Sequence, residues 1–391
     1  MLDWLIIGGG IHGTYLSFYL TRLKRVPKDR LRVLDPYAKP LARWDECTRS
    51  VGMEFLRSPH VQSLDHDPWS ISTFAKTRAG QPLAQFIPTH NRPSLALFRA
   101  HCDWMIDRHD LESLRLVGRA SGLEKQADGW RVETDGGTID ARNVLLAIGA
   151  TEQARWTPWA QKLRETDAPI HHLYEPGFNR EALPYAGHLL VVGGGISAAQ
   201  LALSLAQSGA RRVTLLMRQE PRVFPFDADL CWIGGDCGTN FATLSDYAAR
   251  REIIQRARHS GSVPADVHDQ LRAAVARGAL ELCIGEVAAA EGSGGQAISL
   301  RLQSGDTIHA DRVILATGFD AARPGGRWLD YAIAAYDLPV AGCGYPIVNS
   351  TLAWAPGLLV TGPLAELEIG PVARNIIGAR MAAELIGRAI S

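Results

Sequence analysis

The chain has 391 residues, of which 46% are hydrophobic and 21% charged. This balance excludes disordered, collagen-like and coiled-coil classes and is long enough for two or three domains, each with a core that needs no disulfides or metals. Lys+Arg and Asp+Glu are both 41, so no basic excess points to nucleic acid or to an anionic membrane surface.

From the start, Met1 to Leu20 is apolar, but it lacks a basic opening and a small-residue cleavage site, so it reads as a strand and a helix and not as a signal peptide. Asp3-Trp-Leu-Ile-Ile-Gly-Gly-Gly-Ile-His-Gly-Thr is an apolar run that ends in glycines. A helical stripe at Leu16, Tyr19, Leu20 and Leu23 follows, then a short buried strand from Arg30 to Asp35. Strand, glycines, helix and strand make a βαβ unit with parallel strands. Gly8, Gly10 and Gly13 fit G-x-G-x-x-G, with His12 inside the motif. The first glycine permits the turn, the second lets backbone approach a pyrophosphate, and the third lets helix and strand pack closely. The free N–H groups and the dipole of the helix N-terminus favour phosphate. Asp35, 22 residues after Gly13, stands where a carboxylate binds ribose hydroxyls.

Next come a helical pattern from Leu95 to Ile106 and an alternating stretch from Leu123 to Thr134, read as a small β-meander. Thr138-Ile-Asp-Ala-Arg-Asn-Val-Leu-Leu-Ala-Ile-Gly149 closes this half. The same grammar then repeats. Leu189-Leu-Val-Val-Gly-Gly-Gly-Ile-Ser-Ala-Ala-Gln leads into a helix with Leu201, Leu203 and Leu205, and Arg212 to Arg218 is the following strand. Helical patterns run from Asp246 to Arg258 and from Ala265 to Arg277, and a second meander from Val287 to Ser304. Thr307-Ile-His-Ala-Asp-Arg-Val-Ile-Leu-Ala-Thr-Gly318 matches the first closing segment at seven of twelve positions without a gap. The chain therefore reads as a diverged duplication: α/β, two Rossmann-like dinucleotide-binding domains, each with a parallel sheet and a β-meander.

In the second copy Gly193, Gly195 and Ala198 give G-x-G-x-x-A, with Ser197 inside it, and the second strand ends in Arg218. A carboxylate there would repel a 2′-phosphate, whereas an arginine forks onto it, which favours NADPH over NADH; Arg212 and Arg222 stand close in sequence to assist. Two dinucleotides in one chain point to electron transfer between FAD and NADPH. The first site is read as the FAD site because the C-terminal segment returns to it. Gly357 to Gly362 is a last strand, and Gly370-Pro371 opens a final amphipathic helix from Val372 to Ile390 whose N-terminus faces the flavin. The expected division is a first FAD part at 1–160, an NADPH domain at 185–318 with a helical insertion at about 240–278, and a return to the FAD domain at 319–391.

With these motifs placed, the chain resembles the class B-type flavoprotein monooxygenases, and within them the branch that N-hydroxylates lysine or ornithine in siderophore synthesis. The resemblance rests on Met53-Glu-Phe-Leu-Arg-Ser58 with Leu64 and Asp67-Pro-Trp-Ser70, on Phe86-Ile-Pro-Thr-His-Asn-Arg92 with Phe98 and Trp104, on Ala316-Thr317-Gly318-Phe319, and on Gly362-Pro-Leu-Ala-Glu-Leu-Glu-Ile-Gly-Pro371. It implies that NADPH reduces FAD, that reduced FAD takes up O2 as a C4a-hydroperoxyflavin, and that a small amine or thiol receives the distal oxygen. It implies further that Trp44, next to Arg43, stacks beside the flavin, the alternative being a core tryptophan. Arg57 stands where the hydroxylases carry a lysine, to position NADP+ or stabilise peroxide charge, the alternative being a structural ion pair. A guanidinium stays protonated and is no base.

Two departures bear on the substrate. Where amino-acid hydroxylases carry substrate-binding asparagines, this chain reads His259-Ser-Gly-Ser-Val-Pro264. The Phe226-to-Gly238 stretch has no family counterpart, and its Cys231 and Cys237 are read as packed thiols, like the other cysteines, in a reducing cytoplasm. No His spacing suggests a metal. No run of 18 apolar residues predicts a membrane span. The expected partners are a small-molecule substrate, O2 and, since the family often associates, further copies of the chain. A reductase that passes electrons on without inserting oxygen is the other enzymatic reading.

Overall fold

The computed structural model describes residues 1–390. Leu2–Ile7 is the centre of the first sheet, flanked in parallel by Leu31–Asp35 and by Gly137–Leu146. Leu5, Ile6, Leu145 and Leu146 are 0% exposed, as expected of parallel strands covered on both faces. Leu358–Val360 adds in parallel outside Gly137–Leu146, and Ala353–Ala355 pairs antiparallel beyond it. Arg115–Val117 forms the opposite edge beside Leu31–Asp35. Gly137–Leu146 is shared: its first half pairs antiparallel with Gly129–Thr134, which pairs with Ala120–Gln126, and its second half enters the parallel sheet. The first meander is thus an outgrowth of the sheet itself.

The second sheet is wholly parallel, in the order Glu281–Ile284, Arg212–Met217, His188–Val192, Arg312–Leu315, Ile170–His172. Its meander, Val287–Glu291, Ile298–Leu302 and Thr307–Ala310, is a separate three-stranded sheet. Two Rossmann-like units, each with a meander, are therefore present. Strands from 353–360 complete a sheet begun at residue 2, so the chain leaves the first sheet, builds the second and comes back.

Several elements differ from the sequence reading. The stripe at Leu16 to Leu23 is split: the α-helix covers Ile11–Phe18, and Tyr19–Leu23 is a wider π-turn. Gly370-Pro371 does not open the last helix. Pro371–Arg374 is a 3₁₀ turn, and the α-helix is Ile376–Gly387. Gly378 explains the close seating of that helix on the turn, since a Cβ there would lie 2.4 Å from Ala373 O. Cys231 and Cys237 are not packed thiols but a disulfide, with Cα atoms 5.3 Å apart. The Gly234-Gly235 turn between them brings the two residues together where spacing alone gave no cue. Helices Ala42–Val51, Pro158–Glu165, Asp236–Ala242 and Gly326–Ala335 lie outside the helical patterns read from the sequence.

The halves are joined closely. Helix Ala42–Val51 packs on helix Ile196–Gln207 of the second unit, and Val51 belongs to the second core. Gly52, at φ +70°, ends the first of these helices, and a Cβ there would lie 2.5 Å from Ser204 Oγ. Among the described residues no helix is long and apolar enough to cross a membrane.

Candidate functional site

Each glycine turn sits where the apolar strand stops and the helix starts, and each glycine has a separate steric reason. Gly8 has φ +109°, and a Cβ would lie 2.5 Å from Ala147 O, just past the end of the neighbouring strand. At Gly13 a Cβ would lie 1.8 Å from Gly8 O. Gly10 is the contrast: nothing stands within 4 Å of its Cβ position. Gly8 and Gly13 are thus fixed by the protein's own packing, and Gly10 opens onto space. The second site repeats the pattern. At Gly193 a Cβ would lie 2.4 Å from Ala316 O, at Gly195 the nearest atom is Gly261 Cα at 3.9 Å, and Ala198 is fully buried. Gly10 and Gly195 cap their helices without a side-chain acceptor, so the first helical N–H groups remain open to an anionic ligand.

Around the first turn, Asp35 accepts from Gly9 N at 2.5 Å and Tyr37 N at 2.9 Å, and pairs with Arg115 at 3.1 Å. Arg115, from the edge strand, lies across Gly9; it carries no motif and could not be found from the sequence. His12 is bonded through both ring nitrogens to the C-terminal segment. Its Nε2 donates to Asn375 O at 3.1 Å, so Nδ1 accepts from the Thr361 hydroxyl at 2.8 Å. Desolvation pushes its pKa down to about 4, against the Asn375 hydrogen bond that raises it. The ring is neutral and ties the first helix to the C-terminal segment.

The second turn opens into a cavity of 1360 Å³. Gly193, Gly195, Ser197 and Arg218 line one side of it, and Thr317, Gly318, Arg57 and Arg258 another. Arg218 is exposed at the strand end, and Arg222 also lines the space. Arg212 does not assist: it lies at the opposite end of the same strand, in a fork on Glu281 at 2.9 Å. Thr317 donates to Arg155 O at 2.5 Å, and Gly318 has φ +80°. His172, fully buried behind them, accepts from Tyr174 N at 3.1 Å through Nδ1 and meets Thr317 Oγ1 at 3.3 Å through Nε2. Burial takes its pKa down to about 4.

Arg43 and Trp44, read as flavin-side residues, both make contacts within the protein. Arg43 is buried and donates to Glu46 at 2.6 Å, Thr151 O at 3.1 Å and Tyr174 O at 2.5 Å. Trp44 is half-buried with its ring 5.3 Å from Phe98. Tyr174, which no motif marks, bonds Ser197 Oγ at 2.6 Å and stacks on Phe319 at 4.6 Å. Arg57 lines the cavity but its donors are committed: Nη2 reaches Phe224 O, Phe226 O and Ser262 Oγ at 2.9, 2.7 and 2.9 Å. It bridges two segments of the second unit, so the reading of Arg57 as the catalytic cation is revised to one of positioning. Gly370, at φ +95°, lies under the Trp232 ring, and Arg258 donates to Pro371 O at 2.9 Å. That contact joins the cavity to the segment that returns to the first unit. Among the described residues no group of three His, Cys, Asp or Glu is placed to hold a metal ion.

Comparison with known proteins agrees with this geometry. Residues 5–151 match the FAD-NAD(P)-binding family model, and residues 115–250 the pyridine nucleotide-disulphide oxidoreductase model. No curated protein matches the sequence. Among solved structures, an FAD-bound cadaverine monooxygenase of desferrioxamine biosynthesis from Erwinia amylovora aligns with TM-score 0.77 at 16% identity, over 100% of this chain and 94% of that one. Ornithine hydroxylase from Pseudomonas aeruginosa gives 0.76 at 17%, over 100% and 98%. An ornithine N-hydroxylase from a Kutzneria species, holding reduced FAD, NADP+ and L-ornithine, gives 0.74 at 15%, over 100% and 99%. The chain carries an FAD-NAD(P)-binding region at its start and, along its whole length, the fold of the N-hydroxylating flavin monooxygenases.

Proposed function

We propose that the protein is an NADPH-dependent FAD monooxygenase acting on a small nucleophilic substrate, an amine or a thiol. The carrying observation is the cavity. It starts at a Gly-Gly-Gly turn with an arginine beyond it and runs inward to Arg258, which holds the Pro371 carbonyl of the segment completing the first site. A dinucleotide bound at the second turn would be held by residues of this cavity, which reaches the segment completing the first site.

Gly10 and the open N–H groups of helix Ile11–Phe18 take the FAD pyrophosphate, and Asp35 takes the ribose. Gly195, Ser197 and Ala198 take the NADPH pyrophosphate, and Arg218 with Arg222 the 2′-phosphate. Thr317 and Gly318, backed by His172, shape the inner wall, and the Gly370-Pro371 turn, packed under Trp232, carries the carbonyl that Arg258 holds. Bound FAD supplies the redox chemistry, accepting hydride from NADPH and delivering electrons to O2. The overall change consumes substrate, O2, NADPH and a proton and yields oxygenated substrate, water and NADP+. What the chain contributes is orientation and exclusion of water. Arg57 holds the 224–226 and 262 backbone that walls the cavity.

The test is anaerobic reduction of the purified flavoprotein with NADPH, then exposure to ¹⁸O₂ with a panel of amines and thiols. Incorporation of one ¹⁸O atom per NADPH into one of them is the expected result. Stoichiometric hydrogen peroxide with every candidate, and no labelled product, assigns the protein to the reductases instead.

A further inference from the structure

Tyr174 does not line the cavity, yet it stands one hydrogen bond from it and is held along its whole length. Its N–H donates to Nδ1 of buried His172 at 3.1 Å, and its carbonyl accepts from Arg43 at 2.5 Å. Its ring stacks on Phe319, with centroids 4.6 Å and planes 25° apart. Arg43 belongs to helix Ala42–Val51, which starts beside the first glycine turn, where Leu41 N donates to Gly9 O at 2.9 Å. A side chain pinned at backbone and ring keeps one freedom, the torsion of its O–H. Among the described residues the hydroxyl has a single partner, Ser197 Oγ at 2.6 Å.

Either hydroxyl could donate across that distance. The chemistry decides the direction. A phenol is the better donor and the poorer acceptor of the two, because its ring draws on the oxygen lone pairs. Burial pushes the Tyr174 pKa up to about 12, so the phenol keeps its proton at neutral pH. Were Ser197 the donor, the phenolic proton would face no acceptor among the described residues, at the cost of an unmade hydrogen bond. Tyr174 therefore donates and Ser197 accepts. The serine's own proton is then left without a partner among the described residues, and Ser197 lines the cavity. It is the second residue of helix Ile196–Gln207, whose first N–H groups are open because Gly195 supplies no side-chain cap. Donors gathered on one wall with no acceptor of their own suit a phosphate.

We propose that Tyr174 is a positioning residue for the dinucleotide: it holds the Ser197 hydroxyl with its proton directed at the pyrophosphate of NADPH. Without the phenol the serine hydroxyl turns freely and must be ordered by the ligand, which costs affinity. The inference rests on the reading of the second turn as the NADPH site and does not depend on whether oxygen is inserted.

The test is calorimetric titration of NADP+ into the flavin-loaded protein, with flavin absorbance showing that each variant is folded and loaded. Tyr174→Phe keeps the ring and its stack and removes only the hydroxyl. It weakens NADP+ about fivefold or more, as expected when a hydrogen bond to a charged group is no longer aimed. Ser197→Ala weakens NADP+ at least as much. The deciding measurement is the double variant. With Ser197 already alanine, adding Tyr174→Phe changes the affinity by less than about twofold, because the phenol has nothing left to orient. A general loosening of the wall would cost the same factor in both backgrounds, and that result overturns the proposal. So does either single variant that binds NADP+ within about twofold of the parent. A parent that does not bind NADP+ removes the reading of the second site together with this inference, whereas the other failures leave that reading standing.

Discussion

Gly10 and Gly13 lie three residues apart in one turn and differ in what surrounds them. Gly13→Ala places a Cβ 1.8 Å from a backbone oxygen, so the strand and helix must separate, and a marked loss of stability is expected. Gly10→Ala meets nothing within 4 Å and the residue has an ordinary φ of −73°, so its melting without ligand stays within about 0.5 kcal/mol of the parent. The same methyl stands in the path of the pyrophosphate, so flavin occupancy falls sharply. Absorbance of the purified variant against its melt separates the two effects, and full occupancy in Gly10→Ala would falsify the placement of FAD. Arg218 offers a companion experiment. Its side chain is exposed at the cavity, so Arg218→Ala removes ground-state binding without disturbing a core. KM for NADPH rises by tenfold or more while KM for NADH changes little, a split seen only if the guanidinium meets the 2′-phosphate. Equal shifts with both coenzymes reject the assignment.

At the scale of elements, legibility followed local pattern. The apolar strands ending at Gly8 and Gly193, the acid or arginine at the next strand end and the paired closing segments were all readable, because period, turn chemistry and composition act over ten or so residues. Contacts of long range were not. Arg115 reaches Asp35 across 80 residues, Tyr174 meets Phe319 across 145, and Glu366 gathers Arg251 from 115 away. Nothing in their own neighbourhoods marks them. The last helix shows a related miss: Gly370-Pro371 has the composition of a helix start, but the chain completes a 3₁₀ turn before Asn375 opens the helix. The Cys231–Cys237 disulfide carries no sequence signal, since a five-residue spacer has no motif, yet it closes the loop that sets Trp232 on Gly370. Closing a loop between residues six apart in sequence removes about 2 kcal/mol of freedom from the unfolded chain. Cys231→Ser should lower urea stability by about that amount in non-reducing buffer, and in dithiothreitol parent and variant should converge. Coincident curves under both conditions would show that the bond does not form in solution.

For the molecule as a whole, the two units work only if their facing walls stay in register, and buried neutral histidines sit in that wall and in the first core. His172 backs Thr317 beside the cavity, and His101 hydrogen-bonds Ser70 Oγ at 2.8 Å in the first unit. Both are 0% exposed, and burial holds each near pKa 4, well below the 6.5 of a free imidazole. The sign follows directly. Below pH 6.5 the unfolded chain binds protons that the folded chain refuses, so stability falls as pH drops from about 6.5 to about 4, by at most about 3 kcal/mol for each ring. Above 6.5 neither state is protonated at these rings and their contribution is flat. Glu366, held below the ordinary carboxylate value, acts in the same direction but only once pH falls below about 4.5, so its window lies mostly beneath that of the histidines. His12, also held near 4 by burial, adds to this fall. Asp45, whose carboxyl burial pushes up to about 6, opposes it over the same window. Urea unfolding at pH 7.5, 6.5, 5.5 and 4.5 therefore reports a single ring through the difference between parent and variant. The parent loses stability across the lower three points, and His172→Gln, which cannot titrate, shows an acid limb shallower by one proton and a lower stability at pH 7.5 from the lost Tyr174 and Thr317 contacts. A parallel acid limb in His172→Gln would mean that the ring is solvated and charged in the folded protein, and that the wall behind Thr317 is open to water.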